Sequence, residues 1–402
     1  MRSRVPKALH ALGGRPMVES LIARSREAGA SRIFVVVGHG SDRVREVLGR
    51  DVTLVHQHKQ LGSGHAVHAA ERALARRNGE LLVLYCDTPL LTSGTLRAML
   101  GAHRRQRNDA TLLTAEFSDP NGYGRVVRRH DGLVDRIVEH DDATDDEKSI
   151  REVNVGCYVF DKKKLFEALR SVKRNPKKRE YYLTDAVGVL AAAGAVRALG
   201  AADREETRGI NTRAELAKAE EIVQRRLQNE WMERGVGIRD PKTTFIDSDV
   251  RLGQDTLLLP HTIIEQGSVI GERCVIGPFA RIRGGSRIGE GSVVGNFVEV
   301  VRSKIGRGTR IKHLSYIGDA EIGDGVNIGA GTITANFDGK KKNKTVIRDR
   351  AVIGSGTVFV APVTVGRGAQ TGAGAVVTKG TKIKDRSVYI GIPARELKKN
   401  KK

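Results

Sequence analysis

From Leu252 to Val300 every sixth residue is aliphatic: Leu252, Leu258, Ile264, Ile270, Ile276, Ile282, Ile288, Val294 and Val300. Two positions before each stands a mostly small residue: Val250, Thr256, Thr262, Ser268, Cys274, Ala280, Ser286, Ser292 and Val298. After Val300 the rhythm slips, then resumes at Ile347, Ile353, Phe359, Val365, Thr371, Val377 and Ile383. A period held this long specifies an architecture of short strands joined by tight bends. One inward aliphatic and one inward small side chain per repeat suit a triangular coil of three strands. Stacked coils then bury a continuous core that no single repeat can build. The pattern predicts a left-handed parallel β-helix, whose hand departs from the usual right-handed crossover.

The first half of the chain has a different rhythm. Arg32–Val37, Leu81–Tyr85, Ala110–Ala115 and Asn154–Phe160 read as strands, and Gly64–Arg77 and Ser93–Arg105 carry helical spacing. This alternation predicts an α/β sheet covered by helices on both faces. Between the halves, Thr212 and Glu215 form a capping-box pattern. Leu216, Ala219, Ile222, Val223, Leu227 and Trp231 follow as one apolar stripe, with Gly235 as a stop. The predicted organisation is a sheet domain over residues 1–211, a linker helix over 212–235 and a β-helix over 236–392. The charged tail, 393–402, is expected to be disordered.

Composition narrows the function classes. The 402 residues carry a net charge of +22, which suits nucleic acid or small anions such as phosphates and coenzyme A. Apart from the terminal LKKNKK, the basic residues are dispersed, and no basic stretch is interleaved with aromatics. Nucleic acid is therefore not expected as a partner. Cys86, Cys157 and Cys274 are too few and too far apart for a disulfide framework or a zinc signature. No apolar run has membrane-spanning length, and MRSRVPKALH lacks the apolar core of a signal peptide. A cytoplasmic protein without a membrane partner is expected.

Candidate chemistry in the sheet domain is ambiguous residue by residue. Asp87 follows a buried strand, where open α/β sheets bind ligands, and would suit Mg²⁺; equally it could cap the turn before Pro89. Leu61-Gly-Ser-Gly-His65 offers backbone N–H groups at a helix start. Taken in order, Pro6–His10, Gln60–Ala66, Tyr85–Leu90, Gly122–Arg125, Ile137–His140, Asn154–Gly156, Glu180–Asp185 and Gly209–Asn211 resemble the sugar-1-phosphate nucleotidyltransferases. With the hexapeptide solenoid behind them, the chain resembles the bifunctional GlmU family along nearly its whole length. Such enzymes make amino-sugar nucleotides for peptidoglycan or lipopolysaccharide precursors.

The resemblance implies uridylyl transfer from UTP to N-acetylglucosamine 1-phosphate in the first domain. Asp87 and Asn211 match the Mg²⁺ ligands and Lys7 a phosphate-binding lysine. Gln57, Gly62, Ser63, Tyr85 and Cys86 match the uridine side, and Gly124, Glu139 and Asn154 the sugar side. In the solenoid it implies acetyl transfer from acetyl-CoA to the amine of glucosamine 1-phosphate, with His313 as the base. Arg283, Tyr316, Asn327 and Lys342 match the sugar-phosphate contacts. Ala330, Asn336, Phe337, Ser355 and Ala373 match the acetyl-CoA contacts. Residues 340–344 (KKKNK) interrupt the rhythm and should project as a loop. The family is trimeric, so sites shared between copies are expected.

Two departures stand out. Family members open on a strand and a Gly-rich loop that holds the triphosphate, and here Met1 falls on the last residue of that motif. The neighbouring strands should be left unpaired, and uridylyl transfer is expected to be weak or absent. In the solenoid a family lysine is replaced by Val301, and Arg302 is expected to point the opposite way along its strand. Two other readings stay open: the same chemistry on a different sugar phosphate, and a non-catalytic trimeric binding module.

Overall fold

A computed structural model describes residues 1–75 and 79–397. Contacts divide the chain into two compact units, Met1–Glu220 and Glu221–Lys402. The division falls inside the long helix, Arg213–Glu233, and not at residue 211. Thr212 and Glu215 form the expected start of that helix: Glu215 Oε2 accepts from the N–H of Thr212 (2.7 Å), and Thr212 Oγ1 from the N–H of Glu215 (3.1 Å).

The first unit is an α/β sheet with eight main strands: β1 (Phe34–Val37), β2 (Thr53–His56), β3 (Glu80–Leu84), β4 (Ala110–Glu116), β5 (Arg125–Arg128), β6 (Val134–Val138), β7 (Glu152–Asp161) and β8 (Val196–Gly200). One sheet runs β8-β4-β7-β5-β6, with β3 also antiparallel to β7. The period-2 alternation of β7 separates two cores. Val153, Val155, Cys157 and Val159 pack towards Leu21, Leu96 and Met99; Tyr158 and Phe160 pack towards Leu165, Leu169, Leu183 and Val187. Helices thus cover both faces, as the alternation predicts. The expected helix 64–77 is broken into Ser63–Ala69 and Glu71–Leu74, and Arg76 and Arg77 lie outside the described residues.

Among the described residues β1 and β2 pair only with each other, as a separate two-stranded parallel sheet. Among the described residues β1 has no partner on its second edge, and β3 pairs only with β7. Phe34, Val36 and Val55 nonetheless pack against the main core, so side-chain burial joins what backbone pairing does not. The split is the one expected from the sequence.

The second unit is the predicted β-helix. Its strands form three parallel faces, led in chain order by Gly237–Ile238, Phe245–Ile246 and Arg251–Leu252. Each residue pairs with its equivalent one coil later, as Leu252 with Ile270 and Ile270 with Ile288. The inward aliphatics form one buried column. The small inward residues do more than fit: Thr256, Ser292 and Thr309 donate their hydroxyls to the corner carbonyls of Gly271, Gly306 and Gly323 at 2.7–2.8 Å. Buried corner backbone is thereby satisfied. The chain end corrects one expectation. Arg395–Glu396 pairs antiparallel with Val388–Ile390, and the N–H of Leu397 donates to Val388 O at 2.7 Å. That pairing and hydrogen bond hold a segment whose charge argued against packing; residues 398–402 lie outside the described residues.

Candidate active sites

In the first unit, residues from distant segments meet at the carboxyl ends of the strands. Asp87 lies just past β3, and the N–H of Ile210 donates to its carbonyl at 2.8 Å, which brings Asn211 alongside. Lys7 Nζ donates to Asp87 Oδ2 at 2.8 Å and to Asn211 Oδ1 at 2.6 Å. Two hard oxygens thus converge on one cation-sized point, a donor set that suits a divalent metal with phosphate oxygens completing the shell.

In the same unit, Gln57 donates to Gly62 O (3.0 Å) and contacts His65 Nδ1 (2.9 Å). Residues 61–64 run against 180–182, with the N–H of Tyr181 donating to Leu61 O and that of Gly64 to Tyr181 O. Gly62 has φ +99, and a Cβ there would stand 2.6 Å from Tyr181 O, so only glycine fits. Ser63 Oγ accepts from the N–H of Leu183 at 3.0 Å. The Tyr85 ring packs on Gly156, where a Cβ would stand 2.5 Å away. Burial pushes the Tyr85 phenol up to about 12, so it stays a neutral donor. Burial and the neighbouring Asp87 raise the Cys86 thiol, which argues against a thiolate there.

Glu139 accepts from Thr184 Oγ1 at 2.8 Å, and burial raises its pKa. Asn154 donates to Tyr158 Oη at 2.7 Å, and its N–H to Gly124 O at 2.8 Å, so Gly124, Glu139 and Asn154 share one wall. The cleft is lined by Ser63, Tyr85 and Glu139, together with Glu180, Tyr182 and Asp141. These last three were missed as site residues. For Glu180 and Tyr182 the signal lay in the 180–185 segment, whose pairing with Leu61–Gly64 no local pattern reveals.

In the solenoid, His313 ends the strand Arg310–His313 on the first face, exposed, and its carbonyl accepts from Ser315 Oγ at 2.8 Å. It stands beside the corner between the first and second faces. From the second coil on, a left-handed residue occupies the same place in this corner: His261 (φ 58), Phe279 (φ 55), Phe297 (φ 54), Leu314 (φ 43), then Gly331, Gly356 and Gly374. The rings of His261, Phe279 and Phe297 stack with centroids 4.5 and 4.9 Å apart. Phe297 and Leu314 are 58% and 63% exposed, an unusual position for large apolar residues. Past His313 the column turns to glycine, and the small residues Ala330, Ser355 and Ala373 come into line. The N–H of Gly356 donates to Ala330 O and that of Gly374 to Ser355 O, both at 2.7 Å. A ridge therefore gives way to a groove at the candidate base.

Arg283 and Tyr316 project from the second face, with Arg283 Nη1 3.2 Å from Glu299 Oε1. Asn327 is exposed on the first face, so one copy of the chain does not bring it to Arg283 and Tyr316. Asn336, Phe337 and Lys342 lie beyond the far end of the second-face strand Ile333–Ala335, Lys342 in the predicted loop. There Phe337 and Lys342 bridge, and Asp338 Oδ1 accepts from the N–H groups of Lys340 and Lys341. Val301 is buried at 2% exposure, so the family lysine has no polar replacement there. Arg302 is a left-handed corner residue (φ 46) and not the opposite-facing strand residue expected. Its guanidinium chelates Asp319 through two 2.8 Å bonds, and Asp319 Oδ2 also accepts from Asn336 Nδ2 at 2.5 Å. These bonds, Arg302's first, hold the Asp319 carboxyl below the usual range.

Comparison with known proteins matches this division of labour. Residues 1–185 match the MobA-like NTP transferase domain, and residues 249–284 and 267–302 match the bacterial transferase hexapeptide repeat. A protein of Shouchella clausii (strain KSM-K16) named Bifunctional protein GlmU is 43% identical, covering 94% of this chain and 91% of that protein. The same-named protein of Brevibacillus brevis (strain 47 / JCM 6285 / NBRC 100599) is 43% identical over 100% of this chain and 93% of its own length. With likeness of this extent across both units, the chain belongs to the GlmU family.

Proposed function

We propose that the chain joins two reactions of amino-sugar nucleotide synthesis: N-acetylation of glucosamine 1-phosphate by acetyl-CoA, and uridylyl transfer from UTP to N-acetylglucosamine 1-phosphate. The likeness to the family across both units and the convergence of Lys7, Asp87 and Asn211 favour the second activity over the weak or absent transfer expected from the sequence. The observation that carries the first is the change from ridge to groove at His313. Acetyl-CoA lies in the groove along Ala330, Ser355 and Ala373, with Asn336 and Phe337 as further contacts. His313 accepts the proton of the sugar amine as its nitrogen attacks the thioester carbonyl. The C–S bond then breaks, and the imidazolium returns the proton to the departing thiolate. Arg283, Tyr316, Asn327 and Lys342 hold the sugar phosphate.

In the first unit Asp87 and Asn211 are the residues to hold Mg²⁺, which when bound neutralises charge on the triphosphate. Lys7 takes phosphate oxygens. The uridine lies on Gln57, Gly62, Ser63, Tyr85 and Cys86, and the sugar on Gly124, Glu139 and Asn154. Its CoA and nucleotide substrates and three unpaired cysteines suit the cytoplasm.

The working form is a homotrimer. The first and second faces flank the exposed aromatic ridge, whereas the third presents Arg251, Arg287, Lys304 and Lys382 to solvent. Packing the first face of one copy against the second face of another covers the ridge and brings Asn327 to the sugar-phosphate residues. Two assays on the same preparation test the function: CoA release with glucosamine 1-phosphate, and pyrophosphate release with UTP and N-acetylglucosamine 1-phosphate. Absence of CoA release would refute the acetyl acceptor named here.

A further inference from the structure

The Lys7 ammonium stands where the two candidate metal ligands converge, 2.8 Å from Asp87 Oδ2 and 2.6 Å from Asn211 Oδ1. A metal bound to both oxygens at about 2.0–2.1 Å would lie almost on the same point. Two cations so close repel far beyond thermal energy at any realistic protein dielectric. We propose that Lys7 and the divalent cation are alternative occupants of the Asp87–Asn211 pair, with the lysine holding the site closed until nucleotide phosphate draws it away. The proposal rests on the metal reading given above.

The surroundings fit a moving lysine between fixed acceptors. Asp87 is fixed by the bond from Ile210, and Asn211 by its N–H to Glu215 Oε2 at 2.6 Å. The Lys7 backbone sits in a short turn, Lys7–Leu9, closed by the bond from the Leu9 N–H to Pro6 O. Its side chain is 31% exposed and that of Asp87 29%, so the ammonium has an open path out of the pair. Lysine's flexible stem and compact charge suit such an exchange, since triphosphate oxygens offer an equivalent anionic partner. Metal and nucleotide affinities are then coupled, each raising the other by the same factor.

Mn²⁺ binding to the full chain without nucleotide, followed by electron paramagnetic resonance, tests this without turnover. Lys7→Met and Lys7→Gln should bind Mn²⁺ roughly 10- to 100-fold more tightly than the parent, the scale of one or two charge-assisted hydrogen bonds no longer competing. The gain should vanish in Lys7→Met/Asp87→Asn. Arg4→Met removes the same charge from an exposed neighbour and should change affinity less than about threefold. Unchanged or weaker Mn²⁺ binding in both Lys7 variants, with Asp87→Asn still lowering it, would overturn the proposal and leave the metal site standing. If Asp87→Asn has no effect in any background, the metal reading falls and the proposal with it.

Discussion

Replacing Gly356 by leucine separates the groove's role from the coil's stability. Gly356 sits at φ +70, and a Cβ there meets only Gly374 N at 3.6 Å and Gly374 Cα at 3.7 Å, ordinary contact distances. The same column already carries Leu314 at φ 43, so the coil accepts a leucine at this corner. The left-handed conformation costs an L-residue about 1–2 kcal/mol, which lowers the solenoid's Tm by roughly 2–8 °C. The side chain projects outward, into the groove between Ala330 and Ala373. Acetyl-CoA should then bind at least about tenfold more weakly, a loss of about 1.4 kcal/mol. Steady-state CoA release would show this as a raised KM for acetyl-CoA, with pyrophosphate release by the first unit as an internal control. A folded Gly356→Leu protein with an unchanged KM would refute the placement of the donor along this corner.

Other substitutions probe the remaining contacts. Asp319→Asn keeps the shape but removes the charge that Arg302 and Asn336 share. With Arg302 40% exposed, the stability loss should be about 1–2 kcal/mol, and a tenfold fall in kcat at saturating substrates would mark Asp319 as positioning Asn336. An unchanged kcat would assign the clamp to the fold alone. Because its folded pKa is depressed, this clamp is present above the ordinary aspartate value and is lost as pH falls through the depressed one. Glu139 has the opposite sign: burial raises its folded pKa, so the charged form costs stability at neutral pH, and that cost is relieved as pH falls through the raised value. Glu139→Gln should therefore raise the first unit's Tm at neutral pH and flatten its pH dependence, while weakening sugar-nucleotide binding roughly 10- to 100-fold. A lower Tm would contradict the burial argument. The open edges of β1 and β3 predict that the first unit melts below the solenoid, which calorimetry resolves as two transitions.

The solenoid was legible because its period is local: an aliphatic residue every six positions appears in the sequence as it does in the buried column. What the period did not reveal is the corner column, where Phe279, Phe297 and Leu314 look like ordinary scattered apolar residues until stacked coils align them. The nucleotide cleft was readable only as an ordered set of motifs. Nothing in the composition of 180–185 says that it lies against Leu61–Gly64, because that pairing is set by tertiary folding. The place of Arg302 is hidden for a related reason. Strand alternation does not govern a left-handed corner, and the shortened turn that puts Arg302 there comes from the slip after Val300. Charge is likewise a poor guide at Arg395–Glu396, where strand pairing outweighs it.

The measurement that bears most directly on the central claim is acetyl transfer by His313→Ala, paired with acetyl-CoA binding by the same protein. An exposed residue at the end of a strand should be replaceable without unfolding. General-base catalysis by His313 predicts that CoA release falls by about two to four orders of magnitude while acetyl-CoA affinity stays near that of the parent. Retained acetyl transfer at the parental rate would contradict the assignment of His313, and with it the site built around this corner.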